Sequence, residues 1–132
     1  MLKGILGRVL AIGAMTLGGV AVVASPAFAA GGGCTSHPDT EPCISRSGTT
    51  LLGDFYQMRT PDSSMYYYLF QIVSNGSVCF NTTRQRLTTS GHHSASNWKC
   101  ASSGSGSAHS VIYVYNSAGA LHYQVTSPTV TW

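Results

Sequence analysis

The stretch MYYYLFQIVSNGSVCFNTTR, residues 65–84, decides the fold. Three tyrosines lead into Leu69, Phe70, Ile72 and Val73, residue types that suit a pleated, half-buried strand. Asn75-Gly76 then separates two such runs, and this pair favours a two-residue type I′ turn because both central positions need a positive φ. The stretch therefore predicts a hairpin with strands over 65–74 and 77–84. Ser74 opposite Ser77 would set Ile72 against Cys79 and Phe70 against Asn81, with Tyr68 on the same side as the expected core face. The other face would pair Val73 with Val78, Gln71 with Phe80, Leu69 with Thr82 and Tyr67 with Arg84.

The same texture of short apolar runs between turn residues extends both ways. Thr49 to Met58 reads as a strand, closed by the turn cluster Thr60-Pro61-Asp62-Ser63-Ser64. Residues 85–96 are polar, Trp98 and Cys100 suggest a short strand, and 102–107 alternate Ser and Gly as a flexible loop. A second hairpin joins 110–115 to 120–126 across Asn116-Ser117-Ala118-Gly119. Its inner face would pair Val114 with Leu121 and Ile112 with Tyr123, and its outer face Tyr113 with His122, Val111 with Gln124 and Tyr115 with Ala120. Pro128 ends it, and 129–132 would add an edge strand. No helical period longer than two turns follows residue 29. The expected fold is all-β, a small disulfide-stabilised antiparallel β-sandwich of six or seven strands, with a small β-barrel as the alternative.

The first 29 residues read differently. Lys3 and Arg8 form a positive segment, Val9 to Val23 an uncharged apolar one, and Ala27-Phe28-Ala29 an A-x-A cleavage site before Ala30. Fifteen residues of helix reach about 22 Å, short of the ~30 Å of a hydrocarbon core. The expected organisation is a signal peptide over 1–29, a Gly/Pro-rich loop over 30–48, and one all-β domain over 49–132. The expected localisation is secreted, with no membrane contact after cleavage.

Cys34, Cys43, Cys79 and Cys100 all follow the leader, and an even set in a small exported chain reads as two disulfides. Four cysteines allow three connectivities, of which Cys34–Cys43 with Cys79–Cys100 closes the shortest loops; spacing alone does not choose. Metal ligation by Cys34, His37 and Cys43 lacks a fourth ligand at usual spacing, so no metal and no cofactor are expected.

Charge narrows the function classes. After residue 29 the cations are Arg46, Arg59, Arg84, Arg86 and Lys99, against Asp39, Glu41, Asp54 and Asp62, one net positive charge with histidines neutral. That argues against nucleic acid or an anionic membrane as main partner. Four carboxylates, two of them in a Pro-flanked loop, make glycosidase chemistry a poor expectation. There is no G-x-S-x-G, and four paired cysteines leave no thiol. His92-His93 with Arg84 and Arg86 is the least weak catalytic constellation, that of a small nuclease.

Binding is the remaining expectation. Tyr113, Tyr115, His122 and Gln124 on one hairpin face, with Trp98, offer flat rings beside hydrogen-bonding groups, which suits carbohydrate, another cell-surface polymer or a protein. The alternative is a secreted inhibitor of an extracellular hydrolase, presenting residues 60–65 or 34–43 as a rigid loop. In composition, poor in charge and rich in Ser, Thr and Gly, the chain resembles small exported proteins of Gram-positive bacteria such as actinomycetes.

Overall fold

Asn75 and Gly76 adopt positive φ, 50° and 84°, and close the first hairpin where its sequence predicts. A computed structural model of the chain describes residues 30–132, so the leader expected over 1–29 lies outside the described residues. The hairpin strands are β5 (Tyr67–Ser74) and β6 (Ser77–Asn81). They belong to a seven-stranded antiparallel sheet, sheet A, ordered β1 (Ala30–Gly31), β12 (Val130–Thr131), β10 (Ser107–Tyr115), β5, β6. Here β11 (Leu121–Thr126) also pairs with β10, and β7 (Gln85–Arg86) with β5.

Sheet B has five strands: β2 (Gly33–Cys34), β3 (Thr40–Ser47), β4 (Thr50–Gln57) and β8 (Gly91–His93), with β9 (Lys99–Ala101) also on β4. The two sheets form the β-sandwich, and no closed barrel arises. Six strands have five residues or more; the other six are two or three residues long.

Alternation drives the packing. On sheet A, Tyr68, Phe70 and Ile72 of β5 and Ala108, Ile112 and Val114 of β10 point inward and are buried. On sheet B they meet Ile44 of β3 and Leu51 and Phe55 of β4. Each of the larger side chains gains roughly 1.5–3 kcal/mol from leaving water. Gly53 lets the sheets approach, since a Cβ there would stand 2.8 Å from the Phe70 ring. Buried Ser110 donates to the Cys43 carbonyl and its amide donates to the Ser127 hydroxyl, which satisfies both polar groups.

The disulfides are Cys34–Cys43, joining β2 to β3, and Cys79–Cys100, joining β6 of sheet A to β9 of sheet B. The second fastens one sheet to the other.

Four expectations need correction. Residues 30–48 are not a loop: Thr40–Ser47 is an eight-residue strand, and its Ile44 lies in the core. Pro42, fully buried opposite Phe55, has no amide to donate, but its carbonyl accepts the Thr35 amide, and the all-β unit takes in residues 30–48. In the first hairpin a bulge between Ile72 and Val73 moves Ile72 from Cys79 to Phe80, and Gln71 to Asn81. The extra residue on β6 puts Phe80 against the core. In the second hairpin Tyr113 pairs with Gln124, Val111 with Thr126, Ile112 with Val125 and Val114 with Tyr123, two residues from the expected register. The loop there is longer because Asn116 accepts, through its side-chain oxygen, the amides of Ala118 and Ala120. The terminal strand β12 is also not an edge, for it pairs with both β1 and β10.

Candidate functional site

The outward residues of sheet A form rows across neighbouring strands. Tyr115 of β10 pairs with Tyr67 of β5, which pairs with Arg86 of β7. In the next row Gln124 of β11 pairs with Tyr113, and Tyr113 with Leu69. Beyond them Thr126, Val111, Gln71 and Asn81 make a third row, then His109 with Val73. Among the described residues no third layer of structure covers this face. From Tyr67 to Val73 it runs for about 20 Å, at about 3.3 Å per residue.

Arginines order its aromatic end. The Arg84 guanidinium carbon stands 3.8 Å from the centre of the Tyr115 ring and 5.9 Å from that of Tyr67, and Nη1 donates to the Gly119 carbonyl at 3.4 Å. Arg86 lies 3.7 Å over Tyr66, whose ring meets Tyr67 edge-on at 4.8 Å. Guanidinium over an aromatic face is attractive, and these contacts hold both side chains on the ring-bearing end of the face. Thr83, just before Arg84, has φ 66°, a left-handed conformation rare for a β-branched residue. That turn carries the chain from β6 to β7, with the Thr83 amide held by the Asn81 side chain.

Of the sequence-predicted site residues, the structure brings Tyr113, Tyr115 and Gln124 together on this face. His122 falls at the bulge between the pairs Tyr115–Leu121 and Val114–Tyr123, exposed and edge-on to Tyr123 at 5.1 Å. Trp98 is a correction. It is 8 % exposed and stacks on Phe70 at 4.9 Å and on Phe55 at 6.0 Å, so it packs the core and offers no binding surface. A lone tryptophan in a polar stretch gives no face by periodicity. Tyr67, Arg84 and Arg86, read from the sequence as a hairpin pair and as part of the nuclease constellation, join this face instead, because the pairing of β5 with β10 brings them to Tyr113 and Tyr115.

Sheet B presents another kind of face. Leu52, Asp54, Tyr56 and Met58 alternate outward along and just beyond β4, with Tyr56 40 % and Met58 52 % exposed. His92 stacks on Tyr56 at 4.5 Å and its Nε2 meets the Asp54 carboxylate at 2.5 Å. Beside them lies an open cleft of about 300 Å³, lined by Cys34, Cys43, Ser45, Arg46, Asp54 and Tyr56. His93 points the other way, stacked on Phe55 at 4.7 Å. The two histidines thus part, and Arg84 and Arg86 lie on the other sheet, so the nuclease constellation is not assembled.

At the sandwich end beyond β4, Arg59 bridges Asp39 at 2.5 Å and Asp62 at 3.1 Å. The hydroxyl and amide of Ser64, with Arg59, hold the Asp62 carboxyl down at about 2. Tyr123 shares a hydrogen bond with Thr40, stacks on His37, and has its phenol pushed up by burial. These groups satisfy one another and brace the loop.

Among the described residues no three His, Cys, Asp or Glu side chains stand close enough to hold a metal ion, and no helix is long and apolar enough to cross a membrane. Comparison of the chain with protein-family models, with curated proteins and with solved structures finds no match.

Proposed function

We propose that the protein is a small extracellular binding module that holds a carbohydrate or other cell-surface polymer along the outer face of sheet A. One observation carries the reading: Tyr67, Tyr113 and Tyr115 lie in adjacent rows on a rigid three-strand platform, beside the amide of Gln124. Such rings bury the apolar faces of sugars at little entropic cost, while the amide takes hydroxyl hydrogen bonds. Two disulfides support a place in oxidising surroundings, and the leader-like residues 1–29 support export.

Polysaccharide pull-down tests it. Tyr113→Ala and Tyr115→Ala should abolish retention while the far-UV spectrum stays unchanged, and Tyr56→Ala, on the opposite sheet, should leave retention intact. Absence of retention on any polymer, or equal loss from Tyr56→Ala, sinks the reading.

A specific feature favours a second reading as a hydrolase inhibitor. Residues 60–64 form a braced loop: Asp62 accepts the Ser64 amide at 2.8 Å, Arg59 grips Asp62, and Ser63 accepts the Ser117 amide. Met65 is buried and anchors it. Unchanged activity of a panel of extracellular hydrolases at equimolar protein removes this reading.

A further inference from the structure

We infer that the sheet A face takes an acidic polysaccharide, a polymer whose sugar rings carry carboxylates. The inference rests on the reading of that face as a polymer-binding surface and names its ligand class. Charge complementarity carries it. All four carboxylates of the described chain fall between residues 39 and 62, on β3, β4 and their flanking loops. The strands of sheet A contain none, and Arg84 and Arg86 form no ion pair among the described residues. Each guanidinium stands over a tyrosine ring; Arg84 gives Nη1 to the Gly119 carbonyl and keeps its other N–H groups, and Arg86 keeps its fork, for an outside acceptor. A fork of this kind matches a carboxylate in two-point geometry.

The position of the arginines chooses among anions. Arg86 lies in one row with Tyr67 and Tyr115, so a stacked ring and a cation are neighbours. A uronic sugar fills both places at once, its ring on a tyrosine and its carboxylate on an arginine. A polyol phosphodiester has charge without a ring to stack. A single-stranded nucleic acid has both, but two arginines on a chain of near-zero charge neutralise few phosphates. Thr83 supports the assignment, since a strained non-glycine turn here delivers Arg84 onto Tyr115.

The experiment is affinity electrophoresis of the exported chain in gels holding polygalacturonate, dextran, polyglycerol phosphate or oligo-dT. Polygalacturonate should retard it most, and added sodium chloride should reduce the effect steeply. Arg84→Gln and Arg86→Gln should each weaken retention about tenfold, the usual size of one lost charge-assisted contact. Arg84→Lys and Arg86→Lys keep the charge and should lose less. Both arginines are exposed, and circular dichroism with thermal melting confirms that each variant is folded. Equal retardation by dextran, with no effect of the Gln variants, overturns the acidic ligand and leaves the polymer-binding face standing. Strongest retardation by polyglycerol phosphate or oligo-dT overturns it too. No retardation by any polymer removes both readings.

Discussion

The two outer faces of the sandwich use similar materials to opposite ends. On sheet B, Tyr56 stacks on His92, His92 meets Asp54, and close by Arg59 is spent on Asp39 and Asp62. On sheet A, tyrosines stack on arginines, and no carboxylate answers them. On sheet B the Tyr56–His92–Asp54 row answers charge with charge, while Arg46 lies over Trp132 and bonds the Ser102 hydroxyl; the sheet A arginines meet only rings and the Gly119 carbonyl. Exposed aromatics are therefore not enough to mark a binding surface. What distinguishes sheet A is that its strands carry no carboxylate beside their tyrosines.

Four measurements break or sharpen that contrast. The largest effect belongs to Trp98, which supports both sheets from between them. Trp98→Ala should cost about 3–5 kcal/mol of stability by urea unfolding, as a large core truncation does. Lost retention with stability unchanged would return Trp98 to the binding face. Next, removing the inter-sheet disulfide with the pair Cys79→Ser and Cys100→Ser should cost about 3 kcal/mol, given the loop its 21-residue separation closes. The tyrosine rows, built within sheet A, should survive wherever that variant is folded.

A smaller effect separates the faces directly. Thr83→Gly removes a left-handed β-branched residue and should raise stability by about 0.5–1 kcal/mol. It also frees the segment that seats Arg84, so retention should fall even as the melting temperature rises. Smallest is the acid titration of the sandwich end beyond β4. Asp62 is held at about 2 against an ordinary 3.8, so its folded-state interactions stabilise above about 4 and are lost as pH falls toward 2. Asp62→Asn should flatten the melting temperature over that window alone, and an unchanged profile would show that the bracing of residues 60–64 is without thermodynamic weight.

The sequence disclosed the parts of this molecule that depend on local rules. Asn75-Gly76 specified its turn, and period-two alternation specified that Tyr68, Phe70 and Ile72 face inward. The register of the second hairpin was misread by two residues, yet Tyr113 and Tyr115 stayed outward, because a slip of two preserves the face while a slip of one reverses it. What stayed hidden depends on distant partners. Strand β3 looks like loop because Thr40, Pro42 and Arg46 carry no alternation; it becomes a strand by pairing with β4 along its full length. The bulge opposite Ile72 leaves no compositional trace. The outer face of sheet A was half legible: β10 supplied its tyrosines from one hairpin, but Tyr67 and the arginines come from another, and no local pattern says that β5 and β10 are neighbours.

The segregation of charge has a consequence beyond contact chemistry. Sheet A carries Arg84 and Arg86 with no acid on its strands, while Arg46 and Lys99 share sheet B with Glu41 and Asp54, and Arg59 is paired with Asp39 and Asp62 at the sandwich end. Residues 30–132 together are almost neutral, so a uniform field would move them little; the separation makes them a dipole, and a field would turn them. Near any negatively charged surface the molecule would rotate its tyrosine rows toward it within about a Debye length, some 10 Å at 0.1 M salt. Orientation before touching is a gain in encounter rate that net charge alone would not disclose.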